Sequence, residues 1–137
     1  MRRNFFQSCS LTSYLPFLFF SAAVYLNLYD NKLTGTIPNN LNLGNLFYFD
    51  IGRNYIGGSI PADIGTDYGE LKYLHIDHNR LTSSIPDTIP LMANGRMISF
   101  LASHNRLSGA VPDNWIMFNK LVAYTLQGTS STRENNL

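Results

Sequence analysis

The chain has 137 residues, of which 45% are hydrophobic and 14% charged, and its formal net charge is +1. That is one domain's worth of material, too apolar for a disordered tail, and its charge balance offers neither a basic field for nucleic acid nor an acidic one for cationic partners. Cys9 is the sole cysteine, which excludes an intrachain disulfide and a cysteine-built metal site within one chain.

Residues 1–22 admit two readings. Met1, Arg2 and Arg3 precede an apolar run, Leu15 to Leu26, that contains Ser21, Ala22 and Ala23, the order of a secretory signal or anchor segment. The same stretch also fits a degenerate first coil of a repeat. Cys9 through Pro16 overlays Asn79 through Pro86, with Cys in the Asn place, and Cys9 lies 22 residues before Asn31. Ser13, Pro16 and Ser21 interrupt the run, which is short for a membrane span. Membrane association therefore rests on this run or on a longer parent protein.

From residue 23 to residue 127 one unit recurs. Asn31, Asn54, Asn79 and Asn105 are spaced 23, 25 and 26 residues apart, and each is followed seven residues later by Pro38, Pro61, Pro86 or Pro112. The shared pattern is L-x-x-L-x-L-x-x-N-x-L-x-G-x-I-P. In the first of these coils Leu26 and Leu28 alternate with Tyr25, Asn27 and Tyr29, the period of a half-buried strand. The same register predicts strands at Tyr48 to Gly52, Tyr73 to Asp77 and Ser99 to Ser103, with a weaker fifth copy at Leu121 to Leu126 that has Thr129 where Asn belongs. Residues 128–137 are a polar tail. A period in this range implies an α/β repeat fold, a right-handed solenoid with a parallel sheet on the concave face and irregular or 3-10 returns on the convex face.

Each recurrent residue has a structural reason. An amide carries a donor and an acceptor on one short side chain, so a ladder Asn satisfies its own turn and the neighbouring coil. Gly35, Gly58 and Gly109 mark the turn beyond, with Ser83 in the same place, and the prolines keep the exit extended. Leu41, Ile64, Ile89 and Trp115 follow each Pro by three residues and are expected to pack inward. Extra residues at 65–70 and 90–96 fall on the back, where loop length changes cost little.

The units LNLYDNKLTGTIP, FDIGRNYIGGSIP, LHIDHNRLTSSIP and FLASHNRLSGAVP resemble the plant-specific leucine-rich repeats of receptor-like kinase ectodomains and polygalacturonase-inhibiting proteins. The resemblance covers Ala23 to Pro112. It implies a non-catalytic module that binds a protein, peptide or glycan through its concave face, and an extracellular or cell-surface location. Two departures stand against that location. Family members carry paired-cysteine caps, whereas this chain has one Cys, and none of its Asn residues stands in an N-glycosylation sequon. Inhibition of a cell-wall-degrading enzyme and ice binding are the alternative functions. The mixed series Asp50, His75, Leu101 is too irregular for an ice-binding face.

No catalytic triad, phosphate-binding loop or kinase segment is present, and no cofactor is implied. The outward strand positions are the candidate ligand-binding residues. Tyr25, Tyr48 and Tyr73 form one column, Asn27, Asp50 and His75 the next, then Asp77, then Arg53 and His78. Tyrosines give broad contact area at low entropic cost, although cross-strand stacking alone also accounts for them. His78 and His104 fall at equivalent places and are expected to stack. A metal site built from them with Asp77 or Asp50 is the lesser reading. The apolar Phe17 to Phe20, with no disulfide cap, suggests end-to-end self-association.

Overall fold

The computed structural model describes residues 10, 24–39, 45–65, 70–89, 96–113, 123–125 and 130–131. Five short strands, β1 (Tyr25–Asn27), β2 (Tyr48–Asp50), β4 (Tyr73–His75), β6 (Ser99–Leu101) and β8 (Ala123–Thr125), form one parallel sheet in the order β1-β2-β4-β6-β8. The register is the repeat register: Tyr25 pairs with Tyr48, Tyr48 with Tyr73 and Tyr73 with Ser99. Four further segments of two or three residues lie beyond the turns. β3 (Gly57–Ser59) pairs with β5 (Arg80–Thr82), and β7 (Ser108–Gly109) with β9 (Ser130–Ser131), again in parallel. One return contains a 3-10 turn at Ala62–Gly65.

The strands are three residues long where the pattern predicts five. The residue before each ladder Asn adopts a left-handed conformation: Asp30, Arg53, His78 and His104 have φ of 55°, 51°, 50° and 54°. That ends the extended run, yet the ladder continues through it, because Asp30 N donates to Gly52 O at 3.0 Å and Arg53 N to Asp77 O at 3.0 Å. Beyond the Asn, the predicted positive-φ turn is present at Gly35, Gly58 and Gly109, and Ser83 adopts it too at 66°.

Apolar columns fill the interior. Phe49, Leu74 and Phe100 come from the strand centres, and Leu28, Ile51, Ile76 and Ala102 from two residues on. Leu33, Ile56, Leu81 and Leu107 follow each Asn, and Leu46, Leu71 and Met97 come from the strand approaches. Ile64 and Ile89 pack inward from the returns, as the offset from Pro predicts; Leu41 and Trp115 lie outside the described residues. Fully burying each such side chain stabilises by about 1.5–3 kcal/mol. No coil can do this alone, so the fold is held by contacts between neighbouring coils.

The asparagines form the expected ladder. Asn54 Oδ1 accepts from Leu33 N, Asn79 Oδ1 from Ile56 N and Asn105 Oδ1 from Leu81 N, each at 3.0 Å. Each Nδ2 donates both to its own strand end and to the strand below, as Asn79 does to Ile76 O at 3.2 Å and to Ile51 O at 2.9 Å. Asn31 Oδ1, on the lowest described rung, has no partner among the described residues. Ser10 bridges Thr34 in parallel. The two readings of residues 1–22, Phe17 to Phe20 and the tail at 132–137 otherwise lie outside the described residues. Among those described, no helix is long and apolar enough to cross a membrane.

Candidate functional site

Parallel register brings the outward residues into rows. Tyr25 stacks on Tyr48 with centroids 5.0 Å apart, and Tyr48 lies 5.7 Å from Tyr73 in a tilted arrangement. Two residues absent from the sequence reading extend this row. Phe47 lies 6.1 Å from Tyr25 and 5.4 Å from Tyr73, and Lys72 Nζ sits 5.0 Å above the Phe47 ring. They stand at the position before the first outward Tyr, where two successive N–H groups share one carbonyl of the coil below: Lys72 N and Tyr73 N both donate to Phe47 O. The recurrence of Val24, Phe47, Lys72 and Ile98 before the strands was the signal that could have found them. The aromatic row is well exposed at its edge, where Tyr25 keeps 64% of its surface.

The second row is a hydrogen-bonded chain. Tyr48 Oη donates to Asp50 Oδ2 at 2.9 Å and lies 3.4 Å from His75 Nδ1, and His75 Nε2 is 3.0 Å from Ser99 Oγ. Asp50 Oδ1 also accepts from Gly52 N at 2.9 Å. Asn27 does the same one coil down, accepting from Tyr29 N at 2.9 Å, so this cap belongs to the architecture. Asp50 is the one correction among the candidate residues. The alternation places it outward, yet it is only 6% exposed, because Tyr48 and His75 converge on its carboxylate.

Burial acts to raise the pKa of Asp50, but the His75 imidazole, 3.7 Å from its carboxylate, and the hydrogen bonds from Gly52 N and from Tyr48 outweigh it and hold the carboxyl below the ordinary aspartate value. Burial first, then the hydrogen bond to Asp50, pushes Tyr48 up to about 12. Tyr48 is therefore a fixed donor at any physiological pH.

Gly52 explains how the next row meets this one. A Cβ built there would lie 3.0 Å from Asp77 Oδ1, 3.1 Å from Asp50 Oδ1 and 3.1 Å from the Tyr29 ring, so two carboxylates and an aromatic edge close over a position that only glycine fills without displacement. Asp77 Oδ2 is 2.8 Å from His78 Nδ1, and the His78 ring lies 4.1 Å from His104. Tyr25, Tyr48, Tyr73, Asp50 and His75 are thus joined by direct contacts, with Asp77 and His78 one row on. Arg53 is exposed at the turn and meets this group through its backbone, its N donating to Asp77 O at 3.0 Å. Among the described residues no group of three or more His, Cys, Asp or Glu side chains is placed to hold a metal ion.

The Leucine Rich Repeat family model matches residues 24–43 and 70–92. Among solved structures, the TDR receptor aligns with TM-score 0.70 and 26% identity over 77% of this chain and 18% of its own. The plant peptide hormone receptor RGFR1 in complex with RGF2 aligns with TM-score 0.68 and 29% identity, over 75% of this chain and 16% of its own. The BIR2 ectodomain from Arabidopsis thaliana aligns with TM-score 0.65 and 31% identity over 70% of this chain, which spans half of that ectodomain. No curated protein sequence matches the chain. The fold and the rows on its sheet define a leucine-rich-repeat solenoid. The chain is a plant-type leucine-rich-repeat protein, similar to receptor-kinase ectodomains and spanning under a fifth of the longer ones.

Proposed function

We propose that the chain is a non-catalytic recognition module that binds an extended peptide, or a peptide segment of a protein, across the exposed sheet face. The observation that carries this reading is the continuous row Tyr25, Phe47, Tyr48 and Tyr73 beside the polar groups of His75, Asp77 and His78, with the buried Asp50 holding Tyr48 in place. Stacking orders these rings before any ligand arrives, which reduces the entropy lost on binding. Aromatic faces next to fixed donors and acceptors suit a polar peptide better than an apolar groove-filler. Structural neighbours support the direction, since RGFR1 was solved with RGF2 and HAESA with the peptide hormone IDA.

A peptide-array screen followed by calorimetry tests the reading, with the wild type compared against a Tyr48→Ala, Tyr73→Ala double variant. Loss of two aromatic contacts at an interface centre should weaken a selected peptide by ~2–4 kcal/mol. Equal affinity in a double variant shown to be folded removes the sheet face from consideration and directs attention to the insertions at 65–70 and 90–96.

A further inference from the structure

The residue after each ladder asparagine belongs to neither the core nor the sheet face. These residues are Lys32, Tyr55, Arg80 and Arg106, and all four are exposed. One hydrogen bond repeated in each coil stacks their backbones: Tyr55 N donates to Leu33 O, Arg80 N to Ile56 O and Arg106 N to Leu81 O, each at 2.8 Å. The alternation of β5 buries Leu81 and leaves Arg80 and Thr82 in solvent, so the row is held on the flank of the solenoid. The Arg80 guanidinium lies 4.7 Å over the Tyr55 ring, which orders its plane while leaving its N–H fork free for a planar anion.

The ion pairs of His75 with Asp50 and of His78 with Asp77 involve no cation of this row. Two residues beyond the row stand Thr34, Gly57, Thr82 and Ser108, so three of the four coils carry an exposed hydroxyl there. A chain of net charge +1 thus gathers three cations, one aromatic ring and three hydroxyls on one edge.

We propose that this flank binds a linear acidic polysaccharide, one carrying a carboxylate on each sugar. Equivalent positions on successive coils lie about 4.8 Å apart, close to the length of one pyranose unit along an extended glycan. Side chains on one face of an extended peptide recur every second residue, about 6.6–6.8 Å, and fall out of step with the row. Lys32, Arg80 and Arg106 meet carboxylates, Tyr55 takes the apolar face of a ring, and the three hydroxyls meet sugar hydroxyls. The site is separate from the sheet face, so either can fail without the other.

The probe is an end-labelled oligouronate, compared with its methyl ester and with a poly-glutamate peptide by fluorescence anisotropy. The acid form should bind in low salt, weaken as salt screens the exposed charges, and exceed both comparators. The Lys32→Ser, Arg80→Ser, Arg106→Ser variant should bind about tenfold more weakly, whereas Tyr48→Ala, Tyr73→Ala should bind as the wild type does. Arg106→Ser should cost more than Arg96→Ser, which removes the same charge from a return segment. The proposal is overturned by no binding of the acid form, by equal binding of the ester, by tighter binding of poly-glutamate, by a folded triple variant that binds undiminished, or by equal losses for Arg106→Ser and Arg96→Ser.

Discussion

Replacing Asn79 by alanine removes one rung of the ladder, and the structure shows which of its bonds matters most. Asn79 Oδ1 is the acceptor for Ile56 N at 3.0 Å, and Ile56 is fully buried, so that donor would be left unpaired with no access to water. The carbonyls that Nδ2 serves fare better. Ile51 O keeps its bond from Asn54 at 2.9 Å, and Ile76 O keeps its bond from Asn105 at 3.0 Å, because each strand-end carbonyl is shared by two rungs. The cost is therefore dominated by one orphaned N–H, about 1–3 kcal/mol, plus a smaller loss from weakened carbonyl partners, for a total of about 2–4 kcal/mol. In a domain of this length that corresponds to a fall in Tm of roughly 5–15 °C.

Asp77→Ala is the matched control, two residues away. It breaks an ion pair whose His78 side chain is 39% exposed, which costs at most about 1 kcal/mol. Thermal and urea unfolding followed by circular dichroism give both values. Equal losses for Asn79→Ala and Asp77→Ala would refute the assignment of Asn79 to the buried rung.

Two further outcomes follow from local geometry. Gly58→Ala should destabilise by more than 1 kcal/mol, because φ is +73° and the new Cβ would lie 2.8 Å from Thr36 Cγ2, whereas Gly57→Ala, whose Cβ meets only Arg80 O at 3.8 Å, should fold with little change; a reversed order in urea midpoints contradicts the turn. Asp50 is held below the ordinary aspartate value, so the stability it contributes is present above that value and lost as the pH falls through its folded-state pKa. Urea midpoints should accordingly drop on acidification in the wild type and drop less in Asp50→Asn, which can keep the cap as Asn27 does; identical acid dependence would mean that Asp50 is not the group responsible.

The sequence by itself determined the architecture, because a solenoid is built from local units whose spacing is written in the chain. Asn, Pro and the inward apolar residues recur at fixed offsets, and a coil that cannot bury its own apolar face must stack on a copy of itself. Strand order, register and the direction of Leu28, Ile51 and Ile76 follow from that alone. The tyrosine row was legible for the same reason, since equivalent outward positions are neighbours in any parallel stack.

Tertiary structure decided what the side chains do once they are neighbours. Alternation marks Asp50 as outward, but whether it meets water depends on the Tyr48 and His75 side chains folding over it, which involves residues on two coils and their rotamers. Phe47 and Lys72 recur at one offset before the strands, but that the Phe47 ring joins the tyrosines and Lys72 lies over it is shown only by the folded contacts. For the flank row, the sequence shows three basic residues and a tyrosine directly after the ladder asparagines, but their exposure and the Arg80–Tyr55 contact exist only after the coils are stacked. Periodicity specifies where a position points; the side chains of adjacent coils determine whether it stays exposed and what it touches.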